Sequence, residues 1–291
     1  MNVIIEDESK KQKKLKIFYI IIISICIISI LATILIQIIK ENQPEEGGNT
    51  GIDKTVELPE LTDEKISKYK EQFNDIFENK VNYLENNSYK ITKITEDEEI
   101  VYVGYQNNDI KVNDYELNVN VPYINIKNEA AEEFNKQMKD IFEKKAKSIL
   151  NTQNNNTIYT VDYSAYVANN ILSVVVRSTL KEGANPQRDI VQTYNYNLTN
   201  QKKCTIDEIL ELKNITKKEA SQKIKDEIKL VQEKVEELAK LGYTIYSRDY
   251  NSDIYSVNNV TEFFMGKDNA LYIIYAYGNQ NHTSEMDIVI M

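Results

Sequence analysis

The residue pattern of this 291-residue chain is that of an α+β fold: an N-terminal transmembrane helix, then antiparallel sheets packed with helices, arranged as two helix-plus-sheet subdomains. Ile17 to Ile39 is an unbroken run of 23 residues without a charge. As a helix it is about 34 Å long, enough to cross a hydrocarbon core of roughly 30 Å. Apolar residues at three- and four-residue steps mark amphipathic helices beginning near Thr62, Asn128 and Thr216. Between and after them lie runs rich in Val, Ile, Tyr and Thr, bounded by polar turns, as expected of strands half buried on one face.

The elements follow in order. Lys10, Lys11, Lys13, Lys14 and Lys16 precede the apolar run, and Glu41, Glu45 and Glu46 follow it. By the positive-inside rule, residues 1–16 form a cytoplasmic tail, 17–39 a single-pass membrane anchor, and the remainder an extracytoplasmic region of the cell envelope. The run exceeds the apolar core of a cleaved signal peptide, and no small-residue cleavage site follows it. Residues 40–60, with Pro44, Gly47, Gly48, Gly51 and Pro59, read as a flexible linker.

Residues 61–202 read as a first α+β domain. Ile66, Tyr69, Phe73, Ile76, Phe77 and Leu84 predict a leading helix to about Leu84, with Thr62 and Asp63 placed to cap it. Tyr89 to Ile94, Ile100 to Tyr105 and Asp114 to Ile124 read as strands, and Asn128 opens a second helix to about Leu150. Tyr159 to Ala168 and Ile171 to Thr179 flank Asn169-Asn170, a pair that tolerates the positive φ of a two-residue hairpin turn. Ile190 to Leu198 supplies a third strand there.

Residues 203–291 read as a second α+β domain. Thr205 with Glu208, and Thr216 with Glu219, have capping-box spacing and open helices to about Leu212 and Leu241, the latter ended by Gly242. Ile224, Ile228, Val231, Val235 and Leu238 lie on one face of the long helix and predict packing on its own sheet. Val260 to Met265, Ala270 to Tyr277 and Met286 to Ile290 close the chain as strands.

Composition narrows the function. Only Cys26 and Cys204 occur, on opposite sides of the predicted anchor boundary, so the extracytoplasmic fold depends on its core and not on disulfides. The tail's five lysines and three acids, taken from totals of 35 and 45, leave 30 basic and 42 acidic residues beyond Lys16, a net of −12. That field disfavours nucleic acid, and it serves either solubility or, as an acidic face, encounter with a cationic partner. His282 is the sole histidine, which excludes multi-histidine metal sites, and no Gly-rich phosphate loop or nucleophile elbow occurs. No cofactor, metal or enzymatic activity is expected. Twenty tyrosines without a tryptophan offer contact surfaces, and the strand groups Tyr159, Tyr163, Tyr166 and Tyr272, Tyr275, Tyr277 read either as such material or as ordinary strand residues whose rings cover the sheet.

Three stretches carry a resemblance. Leu117 to Asn135 has a strand with a proline followed by an Asn-bearing helix. Ile171 to Leu210 has a hairpin strand, a small-residue loop, an N-Y-x-L strand (Asn195 to Leu198), a polar turn and a short helix. Phe264 to Ile290 has a closing F-x-x-x-x-x-x-L-x-I-x-Y element and a final strand. In this order they resemble the paired extracytoplasmic domains of unknown function in lysozyme-sensing anti-sigma factors of the RsiV type and in peptidoglycan deacetylases of the PdaC type. Glu182 stands where the family's loop has its first Gly, and Asn185 where it has a His.

The resemblance implies a domain that meets peptidoglycan or a cationic wall-directed protein such as lysozyme. It points to Ser173, Gly183, Ala184, Asn185, Pro186, Tyr275 and Tyr277 as ligand-contacting positions. The expected role is a non-catalytic, membrane-anchored binding module. An anti-sigma-like regulator and a glycan-active enzyme are the alternatives. Nothing in the sequence sets the oligomeric state.

Overall fold

The computed structural model describes residues 61–84, 88–276 and 285–291. The predicted tail, anchor and linker, with Cys26, Tyr277 and His282, lie outside the described residues. Among the described residues no helix is long and apolar enough to cross a membrane.

The described residues form one compact unit of α+β class, built in layers from five helices and ten strands. Helix α1 (Asp63–Glu71) precedes β1 (Lys80–Tyr83), β2 (Val101–Lys111) and β3 (Tyr115–Ile124). Helices α2 (Glu129–Met138) and α3 (Lys144–Asn151) are joined by a π turn, and β4 (Thr157–Ala168), β5 (Ile171–Glu182), β6 (Arg188–Asn197) and β7 (Lys202–Lys203) follow. Helices α4 (Ile206–Leu212) and α5 (Lys217–Lys240) lead to β8 (Glu262–Met265), β9 (Leu271–Ala276) and β10 (Met286–Ile290).

Local chemistry sets most boundaries. Asn169 and Asn170 both take positive φ and close the tight β4–β5 hairpin. Both capping boxes form, Thr205 with Glu208 and Thr216 with Glu219, each satisfying orphan N–H groups at a helix start. Thr62 and Asn128 cap α1 and α2 through their side chains.

The large sheet has the order β2-β3-β4-β5-β6-β7. It is mixed, which corrects the antiparallel expectation. β3 runs parallel to the first half of β4 and β1 parallel to its second half. The long α2–α3 connection between β3 and β4 supplies the crossover a parallel pair requires. The small sheet, β10-β9-β8, is antiparallel.

Period-two alternation sorts the side chains into three cores. Val161, Tyr163, Val174, Val176 and Tyr194 meet Phe134, Met138 and Phe142 of the α2–α3 layer. The opposite face, with Tyr166, Val175 and Val191, meets Phe264, Tyr272 and Ile274 of the small sheet and Tyr69 and Phe73 of the N-terminal segment. Phe263, Met265, Ile273 and Tyr275 face Ile224 and Ile228 of α5. The long helix therefore packs on its own sheet as expected, although Leu238 and Leu241 toward its end are exposed.

Two expectations fail locally. The leading helix stops at Glu71 instead of Leu84: Gln72 leaves helical dihedrals at a ψ of 4°, a tight turn follows at Phe73–Asp75, and Asn79, at a φ of 54°, leads the chain into β1. Tyr89 to Ile94 is not a strand. Its backbone is engaged by single contacts, Asn125 Oδ1 accepting from Ile94 N and Thr95 N and Lys127 N donating to Thr92 O, while Tyr89 and Ile91 still pack on the first core.

Candidate functional site

The redirected segment after α1 opens a cleft of about 400 Å³. Its walls are the end of α1 (Tyr69, Gln72), the following turn (Asp75, Ile76, Glu78), β1 and the residue after it (Asn82, Leu84), and the Lys267 turn; Tyr166 of β4 and Tyr272 of β9 form the floor. Parallel pairing sets Asn82 beside Tyr166. Glu78 N donates to Ser164 Oγ at 3.2 Å, and Asn82 Nδ2 donates to Ala165 O at 3.2 Å, so β4 holds this wall from below.

The floor is a stack of rings. Phe264 lies between Tyr166, with centroids 5.8 Å apart, and Tyr272, at 4.5 Å. Gly266 abuts the edges of the Tyr272 and Phe264 rings, where a Cβ would come within 2.7 Å of the first and 3.1 Å of the second. Rings so confined present their hydroxyl edges in a fixed arrangement.

Electrostatics keep these hydroxyls protonated. Burial pushes the Tyr69 and Tyr166 phenols up to about 12, with Asp268 adding to the first and Glu78 to the second. Burial also raises Tyr272, helped by Tyr166, Tyr69 and Asp268. Tyr69 Oη donates to Asp268 Oδ2 at 2.6 Å, and Lys65 pairs with the same carboxylate at 3.2 Å. Those contacts, the Tyr69 bond first, hold the Asp268 carboxyl below its ordinary value. Glu78 pairs with Lys80. The cleft thus combines neutral hydroxyls and amides with carboxylates and one lysine, an arrangement for holding a polar ligand.

The residues indicated by the resemblance are placed elsewhere, and none of the described ones lines the cleft. Ser173 is fully buried and accepts from Met265 N at 3.0 Å, so it joins the two sheets and presents no surface. Tyr275 is buried in the third core, its ring edge-on to Tyr255 at 5.0 Å and its hydroxyl without a partner among the described residues. Gly183, Ala184, Asn185 and Pro186 form the loop joining β5 to β6. Gly183 has a φ of +55°, and Asn185 N donates to Glu182 O at 3.0 Å, a tight turn in which Gly avoids strain. Glu182 anchors this loop by accepting from Lys145 at 2.9 Å and Arg188 at 2.6 Å.

Tyr166 and Tyr272 belong to the tyrosine groups that stand out in the sequence. Gln72, Asp75, Glu78 and Asn82 carry no such signal, because the continuous helical spacing through Leu84 hides the turn that brings them to the cleft.

No family model and no curated protein matches the chain. Among solved structures it is similar to a DUF3298 family protein from Pseudomonas aeruginosa, with 9% sequence identity and a TM-score of 0.38 over 70% of this chain and 90% of that one.

Proposed function

We propose that this chain is a membrane-anchored, extracytoplasmic binding module that recognises a cell-wall component without catalysing a reaction, and that the tyrosine cleft is its ligand site. One observation carries the reading: three phenols from α1, β4 and β9 converge with amides and carboxylates on a single cleft. Tyr69 Oη donates to Asp268 Oδ2 and so meets a ligand as an acceptor, and burial, which pushes the Tyr69 and Tyr166 phenols up to about 12, keeps both protonated near neutrality. The charged run before Ile17 and the uncharged span after it support the anchor and its orientation. The three motif stretches support kinship with RsiV- and PdaC-type domains.

Charge favours a second ligand, a cationic wall-directed protein such as lysozyme, because the net of −12 beyond Lys16 would speed its encounter. The test is a pull-down with the full chain against peptidoglycan fragments and lysozyme, with the recovered glycan examined for cleavage or deacetylation. Retention without chemical change is expected. Retention of neither would end the binding reading, and altered glycan would replace it with an enzymatic one.

A further inference from the structure

We infer that the cleft takes an N-acetylated hexosamine, which rests on the binding-module reading and names its ligand class. The lining offers the kinds of group that such a sugar uses. Ile76 and Leu84 give an aliphatic patch where a methyl group can leave water. Gln72 and Asn82 bring primary amides, each carrying the donor and acceptor that pair with an acetamido group. Asn82 commits one N–H to Ala165 O and keeps its remaining capacity.

The hydroxyls of Tyr166 and Tyr272 and the carboxylates of Asp75 and Glu78 suit ring hydroxyls, which both donate and accept. A cationic ligand fits less well. Lys267 shares the lining with the two carboxylates, and Glu78 already pairs with Lys80, so little uncompensated negative charge faces the space. The Tyr166–Phe264–Tyr272 stack fixes the floor before a ligand arrives, which lowers the ordering cost of binding.

The experiment is calorimetric titration of the full chain with three tetrasaccharides: chitotetraose, its fully deacetylated form, and cellotetraose. Saturable binding of chitotetraose is expected, with about three- to tenfold weaker binding of the other two, the loss of about one hydrogen bond to the exposed Gln72 and half-buried Asn82 amides. Tyr272→Phe and Gln72→Ala should each weaken chitotetraose about three- to tenfold, one lost hydrogen bond, at an unchanged thermal midpoint. Equal affinity for the three sugars, tighter binding of the deacetylated one, or indifference to both substitutions overturns the inference. If chitotetraose fails while lysozyme or wall fragments are still captured, the sugar assignment falls and the module reading stands. If nothing is captured, both fall.

Discussion

Ser173 on β5 and Asn195 on β6 stand directly opposite one another, and Ser173 Oγ donates to Asn195 Oδ1 at 2.6 Å. Both side chains also serve the edge of the other sheet. Met265 N donates to Ser173 Oγ at 3.0 Å, and Asn195 Nδ2 donates to Phe263 O at 2.6 Å. β8 is the edge strand of the small sheet, so this pair supplies ladder bonds that no strand provides. Ser173→Ala leaves a buried N–H unpaired and should cost about 1–3 kcal/mol. Urea denaturation at unchanged slope is the measurement, and a loss below about 0.5 kcal/mol, the floor for a net hydrogen bond, would show the contact to be dispensable.

The neighbouring Glu262 makes the junction respond to pH. It accepts from Thr193 N at 2.6 Å and from Thr193 Oγ1 at 3.0 Å. Burial raises its pKa above the ordinary 4.5, with Thr193 and then Lys203 pulling the other way. A carboxyl that binds its proton more tightly when folded contributes stability that is complete below its unfolded pKa and lost as pH rises through the folded one. Glu262→Gln should therefore raise the thermal midpoint near neutrality, and its advantage should shrink as pH falls toward 4.5. An advantage that is constant with pH would mean that Glu262 does not titrate differently in the folded state.

These two groups mark the limit of sequence reading here. Alternation along β4 to β6 assigns side chains to faces, and helix caps at Thr62, Thr205 and Thr216 are visible as local spacing. Which polar residues bridge two sheets is not visible, because Ser173, Thr193 and Asn195 find their partners on β8, 68 to 92 positions away. The cleft escapes for a different reason. Ile76, Phe77 and Leu84 keep helical spacing, yet the parallel pairing of Lys80–Tyr83 with Ser164–Val167 overrides it. A long-range pairing thus decided a local conformation.

Arg248 and Asp287 form an ion pair with both side chains almost fully buried. Arg248 Nε donates to both Asp287 oxygens at 3.2 Å and Nη2 donates to Oδ1 at 3.0 Å, while Tyr255 Oη donates to Oδ2 at 3.3 Å. Removing Asp287 takes away one carboxylate while Glu285 still pairs with Arg248 Nη1 at 3.3 Å. Asp287→Ala is expected to cost about 3 kcal/mol, the low end for breaking a buried pair, and the double change Arg248→Met with Asp287→Leu less. Denaturation of the three variants checks this. A double variant at least as unstable as the single one would show that the pair contributes more than it costs to desolvate.

Cys204 lies in the core between α4, α5 and the small sheet. Burial pushes its thiol up to about 12, with Glu208 adding to the effect. Near neutrality the thiolate is rare and shielded, so in a Cys26→Ser chain a disulfide reagent should label Cys204 only as the fold opens. Labelling rates should rise in parallel with the unfolded fraction across a urea series. Rapid labelling in native buffer would show that the α4–α5 cover opens without global unfolding.

Gly266 ties the fold to the cleft. Its backbone is extended at a φ of −113°, so an added methyl meets no conformational penalty, only the Tyr272 ring at 2.7 Å and the Phe264 ring at 3.1 Å. Gly266→Ala must push Tyr272 off its stack with Phe264, and overpacking of this kind costs about 1–3 kcal/mol. The displaced hydroxyl then leaves the position it shares with Tyr166 on the cleft floor. Stability and chitotetraose affinity should therefore fall together in this variant, whereas Tyr272→Phe lowers affinity alone. If Gly266→Ala loses stability but binds unchanged, the placement of the Tyr272 ring matters to the core and not to the ligand.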